Sequence, residues 1–429
     1  MTLNRISNYV LYGLLASLSL LLAIPMQMVE FTQIGIVLFI LVAWLVVSLV
    51  YGLSLRNSLL FSALFFIKPI PMSFYGVLII SSFSLLGEYL QSGKRTLNIP
   101  YPFAMLILGC TSLYGLMRAR DIGDASIYFL ATAVAPFLLL VIFANSRLKE
   151  SDFVEWIKAV VLVSAFLGII GVAMGILNPQ ERYGSLWITA MTINGFYTLS
   201  FFFAIALSTI EPSVKLKYLW HLCALLIFLG MLYTYTRIAL LAVFFGFFLL
   251  MLRLGRFRYI GFGMLFVIPL IIPASMMSRI QMGFDFDISI FIRFLAWYHA
   301  IDQIVLHPFF GIGIGVWKEW FMGVVPFDFL YAEHPHNLYL KILLEIGLFG
   351  FLAYFYIIGA TLRRHYRNCV KKSGSIFDYI IMTGVLALLF SCMTDIFIQQ
   401  YSISLVFWTT LGFLYLRSRV NQANPIEDK

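Results

Sequence analysis

From Tyr218 to Leu252 the chain reads YLWHLCALLIFLGMLYTYTRIALLAVFFGFFLLML, and the one charged side chain in this stretch is Arg237. To its left, Tyr218 to Thr236 is an uncharged run close to the roughly 20 residues a helix needs to cross hydrocarbon. To its right, Ile238 to Leu252 is shorter and reaches that length by borrowing flanking residues. Lipid offers no hydrogen bonds, so a spanning segment must satisfy its backbone internally, as an α-helix does. The stretch therefore reads as two membrane-spanning helices with almost no loop between them, and Arg237 stands at the turn.

The pattern recurs on both sides of this hairpin. Uncharged runs extend over Ile6 to Val29, Phe31 to Leu55, Thr96 to Met117, Ala125 to Ser146, Ala159 to Gln180 and Tyr183 to Ile210. Tyr259 to Ser278 and Ile396 to Leu416 follow, with shorter runs at Ile346 to Leu362 and Tyr379 to Thr394. Asn57 to Gly87 reads either as one kinked span or as a hairpin. The total is about 12 to 14 spans. Only 11% of the 429 residues are charged and 62% are hydrophobic, against about 25% charged in soluble domains. Such a surface excludes a large soluble domain. The expectation is one all-α transmembrane domain over residues 1–429.

Threading the spans alternately puts 20 of the 29 basic residues on one side, including Arg253, Arg256, Arg258 and the run Arg363, Arg364, Arg367, Lys371, Lys372. That side is predicted to be cytoplasmic. The net charge of +9 is accounted for by anionic lipid headgroups and calls for no nucleic acid. The N-terminal run lacks a small-residue cleavage site and reads as a retained span. The four cysteines, Cys110, Cys223, Cys369 and Cys392, suggest neither a disulfide nor a metal site.

One long loop breaks the pattern, from about residue 277 to 336 on the outer side. At 100° per residue, Ile290, Phe291, Phe294, Leu295, Tyr298, Ile301 and Val305 share one face of a helix, and Ser289, Arg293, His299 and Gln303 the other. This is an amphipathic helix, either lying in the outer interface or tucked between spans. Pro308-Phe-Phe-Gly-Ile-Gly-Ile-Gly315 follows. A nucleotide-binding reading needs a preceding strand, which is missing, so the glycines read as a tight, flexible turn. The loop ends in His334-Pro335-His336-Asn337. Pro335 suits the first turn of the next helix, which would put His336 at its outer mouth. There it serves either as a base near neutral pH or as a capping or interfacial side chain.

A charge at a membrane surface costs a few kcal/mol without a partner, so Arg237 is either a site residue or snorkels to the headgroups. Arg182 lies in a neighbouring outer loop. With Arg293 and His336, these arginines suggest an anionic, phosphate-bearing ligand. No HExxH or GxSxG occurs, and Asp285 with Asp287 reads as a solvated loop pair rather than a metal site. No metal and no cofactor are expected. A transporter is the competing class, but it would keep its polar groups near the midplane and show internal repeats.

His336-Asn337, nine further residues, then Gly347-Leu-Phe-Gly350 resembles the signature of the bacterial O-antigen ligase and O-antigen polymerase superfamily. The order of Arg237, then Arg293, then Pro308, Gly311 and Gly313 resembles that family too, and the resemblance covers roughly Gln180 to Tyr356. It implies a metal-independent glycosyltransferase of the bacterial inner membrane, working at the periplasmic face. The implied donor is a glycan on undecaprenyl diphosphate. The implied acceptor is lipid A–core for a ligase, or a second carrier-linked glycan for an O-antigen or exopolysaccharide polymerase. The resemblance gives Arg237 and Arg293 the diphosphate and makes His336 the base for the acceptor hydroxyl; Arg182, from its outer loop, and Asn337, next to the base, are further candidate substrate contacts. His334 falls outside the signature and is expected to matter less. Ligases often carry Thr after the final signature glycine, where this chain has Phe351.

Overall fold

The computed structural model describes residues 97–146, 148–178, 183, 184, 186, 189–255, 288–325 and 332–423, with positions 62, 78, 81, 82 and 85. The spans expected over Ile6 to Gly87 and Tyr259 to Ser278, Arg182, and the Asp285/Asp287 pair lie outside the described residues, apart from those five isolated positions. Every regular element among the described residues is helical.

The described residues form eleven helices in chain order: α1 Pro102–Met117, α2 Ile122–Asn145, α3 Glu150–Leu177, α4 Ala190–Ile210, α5 Val214–Tyr233, α6 Arg237–Arg253, α7 Ile288–Leu306, α8 Val316–Val324, α9 Leu338–His365, α10 Ile376–Ser391 and α11 Tyr401–Ala423. A π-helical turn, Leu130–Val134, interrupts α2, and another, Tyr366–Lys371, extends α9. Among the described residues, six helices are long and apolar enough to cross a membrane: α2, α3, α4, α5, α7 and α9 with its extension. The chain is a polytopic, all-helical membrane protein.

The boundaries follow local chemistry. Asp121 caps α2, accepting from Gly123 N and Asp124 N; Thr189 caps α4 through Thr192 N; Ser375 caps α10 through Asp378 N. Each side-chain oxygen satisfies a backbone donor that the first helical turn leaves open. The opening hairpin forms as α5 and α6, separated by Thr234, Tyr235 and Thr236, with Tyr235 in the left-handed region at φ 53°. Apolar burial gives little drive between helices in lipid, so close packing takes its place. At the α3–α5 crossing, a methyl group on Gly168 would stand 2.5 Å from the Leu226 carbonyl oxygen. Small residues let those backbones touch.

Two expectations change. Pro335 lies ahead of the helix rather than in its first turn, because Asn337 is the cap and α9 starts at Leu338. The glycine turn is tight but pinned. Gly347 breaks the helical dihedrals of α9 at φ 68°, which frees backbone groups there. Ile312 N then donates to Leu344 O at 2.8 Å, Gly313 N to Glu345 O at 3.2 Å, and Leu348 N to Pro308 O at 2.8 Å. The two glycine-rich segments of the sequence are thus each other's partners.

The amphipathic helix forms as α7, oriented as a lipid-facing helix should be. Phe291, Phe294, Tyr298, Ile301 and Val305 are exposed, while Ala296, Ala300 and Gln303 are buried. Its small and polar face packs on the bundle, so Arg293 enters from that side.

Candidate functional site

The packing sorts the charges into two ends. At one end Arg253 donates to the Val370 carbonyl, Arg419 to the Ala144 carbonyl, and Arg417 pairs with Asp378. At the other lie Arg118, Arg120, Arg293, Lys318 and Lys341, through contacts with Gly311, Glu319, Met191, Asp124 and Glu345. This is the division the alternating topology demands.

The second end holds the candidate site. Asn337 fixes its floor by accepting from Tyr339 N at 2.9 Å and Leu340 N at 3.1 Å. Leu338 N bonds the Cys392 carbonyl at 2.9 Å, which ties the mouth of α9 to the loop joining α10 and α11. That loop carries Asp395, buried, whose Oδ1 accepts from Ile396 N at 2.7 Å. His336 stands opposite in a left-handed conformation, φ 48°, with its Nδ1 4.0 Å from Asp395 Oδ1. A non-glycine residue held in that region signals an over-determined position. Two contacts hold it: His334 Nδ1 accepts from His336 N at 3.3 Å, and Trp297 Nε1 of α7 donates to the Pro335 carbonyl at 2.8 Å. His334 therefore supports the site although it lies outside the signature.

Arg293 reaches this cluster from α7, donating to Ser289 O at 3.1 Å and Ser289 Oγ at 2.6 Å, with its other terminal nitrogen 4.0 Å from Met191 sulfur on α4. Burial pushes His336 down to about 4, and the positive charge of Arg293 pushes the same way. His334 falls well below the usual histidine range, through burial first and then the charges of His336, Lys341 and Arg293. Burial raises the Asp395 carboxyl to about 6 against the pull of Ile396 N and Arg293. At neutral pH the site thus holds two neutral imidazoles, one carboxylate and one guanidinium. At 4.0 Å from a neutral ring, Asp395 is a nearby charge rather than an ion-pair partner.

Arg293 and His336 are therefore brought together, with His334 and Asp395 joining them. Arg237 opens α6 at the same end; Thr234, three residues before it, accepts from Asn194 of α4 at 2.8 Å. Met191 of that helix meets Arg293. Asp395 escaped the sequence reading although a signal existed, since it is the lone carboxylate between two apolar runs.

His334, His336 and Asp395 each offer a ligand atom, all within 4.8 Å of one another. The donors are of a type that binds divalent metals. Against that, His334 Nδ1 is already an acceptor and Arg293 would repel a dication. The same guanidinium and neutral base suit an anion beside a group that must lose a proton.

A search of curated proteins returns no match. A family model described as O-antigen ligase matches residues 222–355, from within α5 to within α9. The match takes in Arg237, Arg293, His336, Asn337 and both glycine segments, and it stops short of Asp395. Over this segment the chain is similar to the O-antigen ligase family, which supports the O-antigen ligase and polymerase superfamily.

Proposed function

We propose that the chain transfers an O-antigen-type glycan from undecaprenyl diphosphate to an acceptor glycan at the periplasmic face of the bacterial inner membrane. The observation that carries the reading is a neutral, half-buried His336 within the field of Arg293 and 4.0 Å from Asp395. The acceptor hydroxyl attacks the anomeric carbon, a new C–O bond forms, and the bond to the diphosphate breaks. The proton passes to His336, whose Nδ1 faces Asp395 and whose Nε2 is left for the acceptor. The electron pair leaves with the polyprenyl diphosphate. Arg293 and Arg237, with Arg182 and the Asn337 amide nitrogen as further contacts, hold the charge that develops there. Donor binding also raises the basicity of His336, because the diphosphate offsets the guanidinium that suppresses it.

Lipid A–core is the favoured acceptor, which makes the chain a ligase, with a second carrier-linked glycan as the alternative. Purified protein supplied with carrier-linked glycan, with and without lipid A–core, tests this. Product only with lipid A–core supports the ligase reading, and chain extension without it supports polymerisation. Turnover that survives EDTA supports a metal-independent reaction. Loss restored by Mg²⁺ or Mn²⁺ would reassign His334, His336 and Asp395 as ligands.

A further inference from the structure

A cavity opens at the same end, on the α2 side of α9, with a volume of about 310 Å³. That is the small end of the range for ligand pockets. Its floor is built from buried polar groups. Lys341 and Glu345 pair at 2.9 Å and are 3% and 2% exposed. The ammonium lies 3.5 Å from the centroid of the Tyr128 ring, and Glu345 Oε1 also accepts from Gly315 N at 3.2 Å. Gln399, 1% exposed, completes the wall. Its Nε2 donates to Thr132 Oγ1 at 2.9 Å, while its Oε1 has no hydrogen-bond partner. A buried acceptor left unmet is unfavourable, and an O–H from a ligand in the cavity would meet it.

The lining selects the ligand's chemistry. Five carboxylates (Asp121, Asp124, Glu319, Glu333 and Glu345) outnumber two lysines. This balance repels phosphate and carboxylate groups and favours donors. Carboxylate and amide oxygens accept from hydroxyls, and the bond is stronger when the acceptor is charged. Tyr128, Trp317 and Tyr401 supply aromatic surface. Hydroxyl donors around an apolar ring face describe an uncharged sugar.

Two of the cavity's lining residues lie close in the chain to the histidine cluster. Lys341 lies one helical turn beyond Asn337, and Gln399 follows Asp395 across a single 3₁₀ turn. Arg293 instead approaches from the α4 side. In a displacement the nucleophile and the leaving group stand on opposite sides of the reacting carbon. With the diphosphate on the Arg293 side, this cavity falls on the acceptor side.

We propose that this cavity is the subsite for an uncharged sugar ring of the acceptor glycan, an assignment to the acceptor that rests on the transferase reading above. The test is saturation-transfer NMR on the full-length protein in detergent, with methyl galactoside and methyl glucuronide as probes. Saturation should pass to the galactoside and much less to the glucuronide. Gln399→Leu should weaken the galactoside signal about 3- to 10-fold, the usual share of one hydrogen bond. Asp124→Asn with Glu333→Gln, at the exposed rim, should bring the glucuronide up to the galactoside. His336→Ala, which removes the base, should leave both signals in place. In the transfer assay Gln399→Leu should raise KM for the acceptor by the same factor and leave KM for the donor within twofold. Equal signals for the two probes, or a galactoside signal indifferent to Gln399→Leu, would overturn the site. Should no transfer be found with any donor, the NMR result still decides whether a sugar binds here.

Discussion

Two histidine–aspartate pairs stand at opposite ends of this bundle, and they are built differently. At the end rich in basic residues, His365 Nε2 lies 3.2 Å from Asp378 Oδ1, and both side chains are fully buried. His365 Nδ1 is 3.2 Å from the Leu414 carbonyl, Asp378 Oδ2 takes Arg417 at 2.7 Å, and Arg417 also meets Glu150. Each charge has its complement, and each contact joins two helices. At the other end His336 and Asp395 stand 4.0 Å apart and partly open. The same two residue types thus make a clamp at one end and a site at the other. Distance and exposure separate them: charges in ion-pair reach and sealed from water hold a fold, while a pair held apart and open leaves room for a ligand.

Removing each histidine or its partner separates the two roles. His336→Ala should lower turnover about 10²- to 10⁴-fold with the thermal midpoint and donor binding little changed; an equal loss of stability would make the outer pair a clamp too. Asp378→Ala should do the reverse. Breaking a buried pair costs about 3–5 kcal/mol, so detergent-solubilised protein should unfold well below the wild type. The fraction that stays folded should turn over normally. A folded but inactive Asp378→Ala would dissolve the distinction.

The sequence shows one of these ends better than the other. Uncharged runs located the helices closely, as with the Tyr218–Thr236 run against Val214–Tyr233, because lipid enforces a simple rule on every spanning residue. Arg293 and His336 were legible because a helical face and a histidine signature mark them. Asp395, Gln399 and the Lys341–Glu345 pair were not. Their roles arise only when the loop after α10 folds against the mouth of α9, a contact between segments about 50 residues apart. The turn at 308–315 was visible, but its partner was not, since one glycine's dihedral at position 347 decides where the free carbonyls point.

Two left-handed glycines, one on each side of this contrast, give a smaller effect. A methyl group at Gly347, φ +68°, would stand 2.2 Å from the Phe309 carbonyl oxygen; at Gly374, φ +67°, it would meet nothing within 4 Å. Gly374→Ala should therefore cost only the left-handed strain, about 1–2 kcal/mol. Gly347→Ala adds a backbone collision, so it should cost more than about 2 kcal/mol and lower activity as the 308–315 turn leaves α9. Equal melting curves for the two variants would mean the turn is not seated on Gly347.

The smallest effect is a change in pH dependence, and it tests whether the looser pair works as a unit. His336, pushed down to about 4, is a neutral base at any pH above that. Asp395, raised to about 6, becomes a carboxylate only above 6. When His336 takes the acceptor's proton, the imidazolium gains from a carboxylate 4.0 Å away and nothing from a carboxylic acid. As pH falls, kcat/KM for the donor, which reports the empty site, should therefore drop through about 6, before His336 itself is protonated. Asp395→Asn cannot ionise. It should lower the plateau on the order of tenfold, about 1.4 kcal/mol of barrier, and move the acid limb down toward 4. Asp395→Glu should restore a limb near that of the wild type. An Asp395→Asn profile that still bends at 6 would assign that limb to another group and leave His336 to act alone.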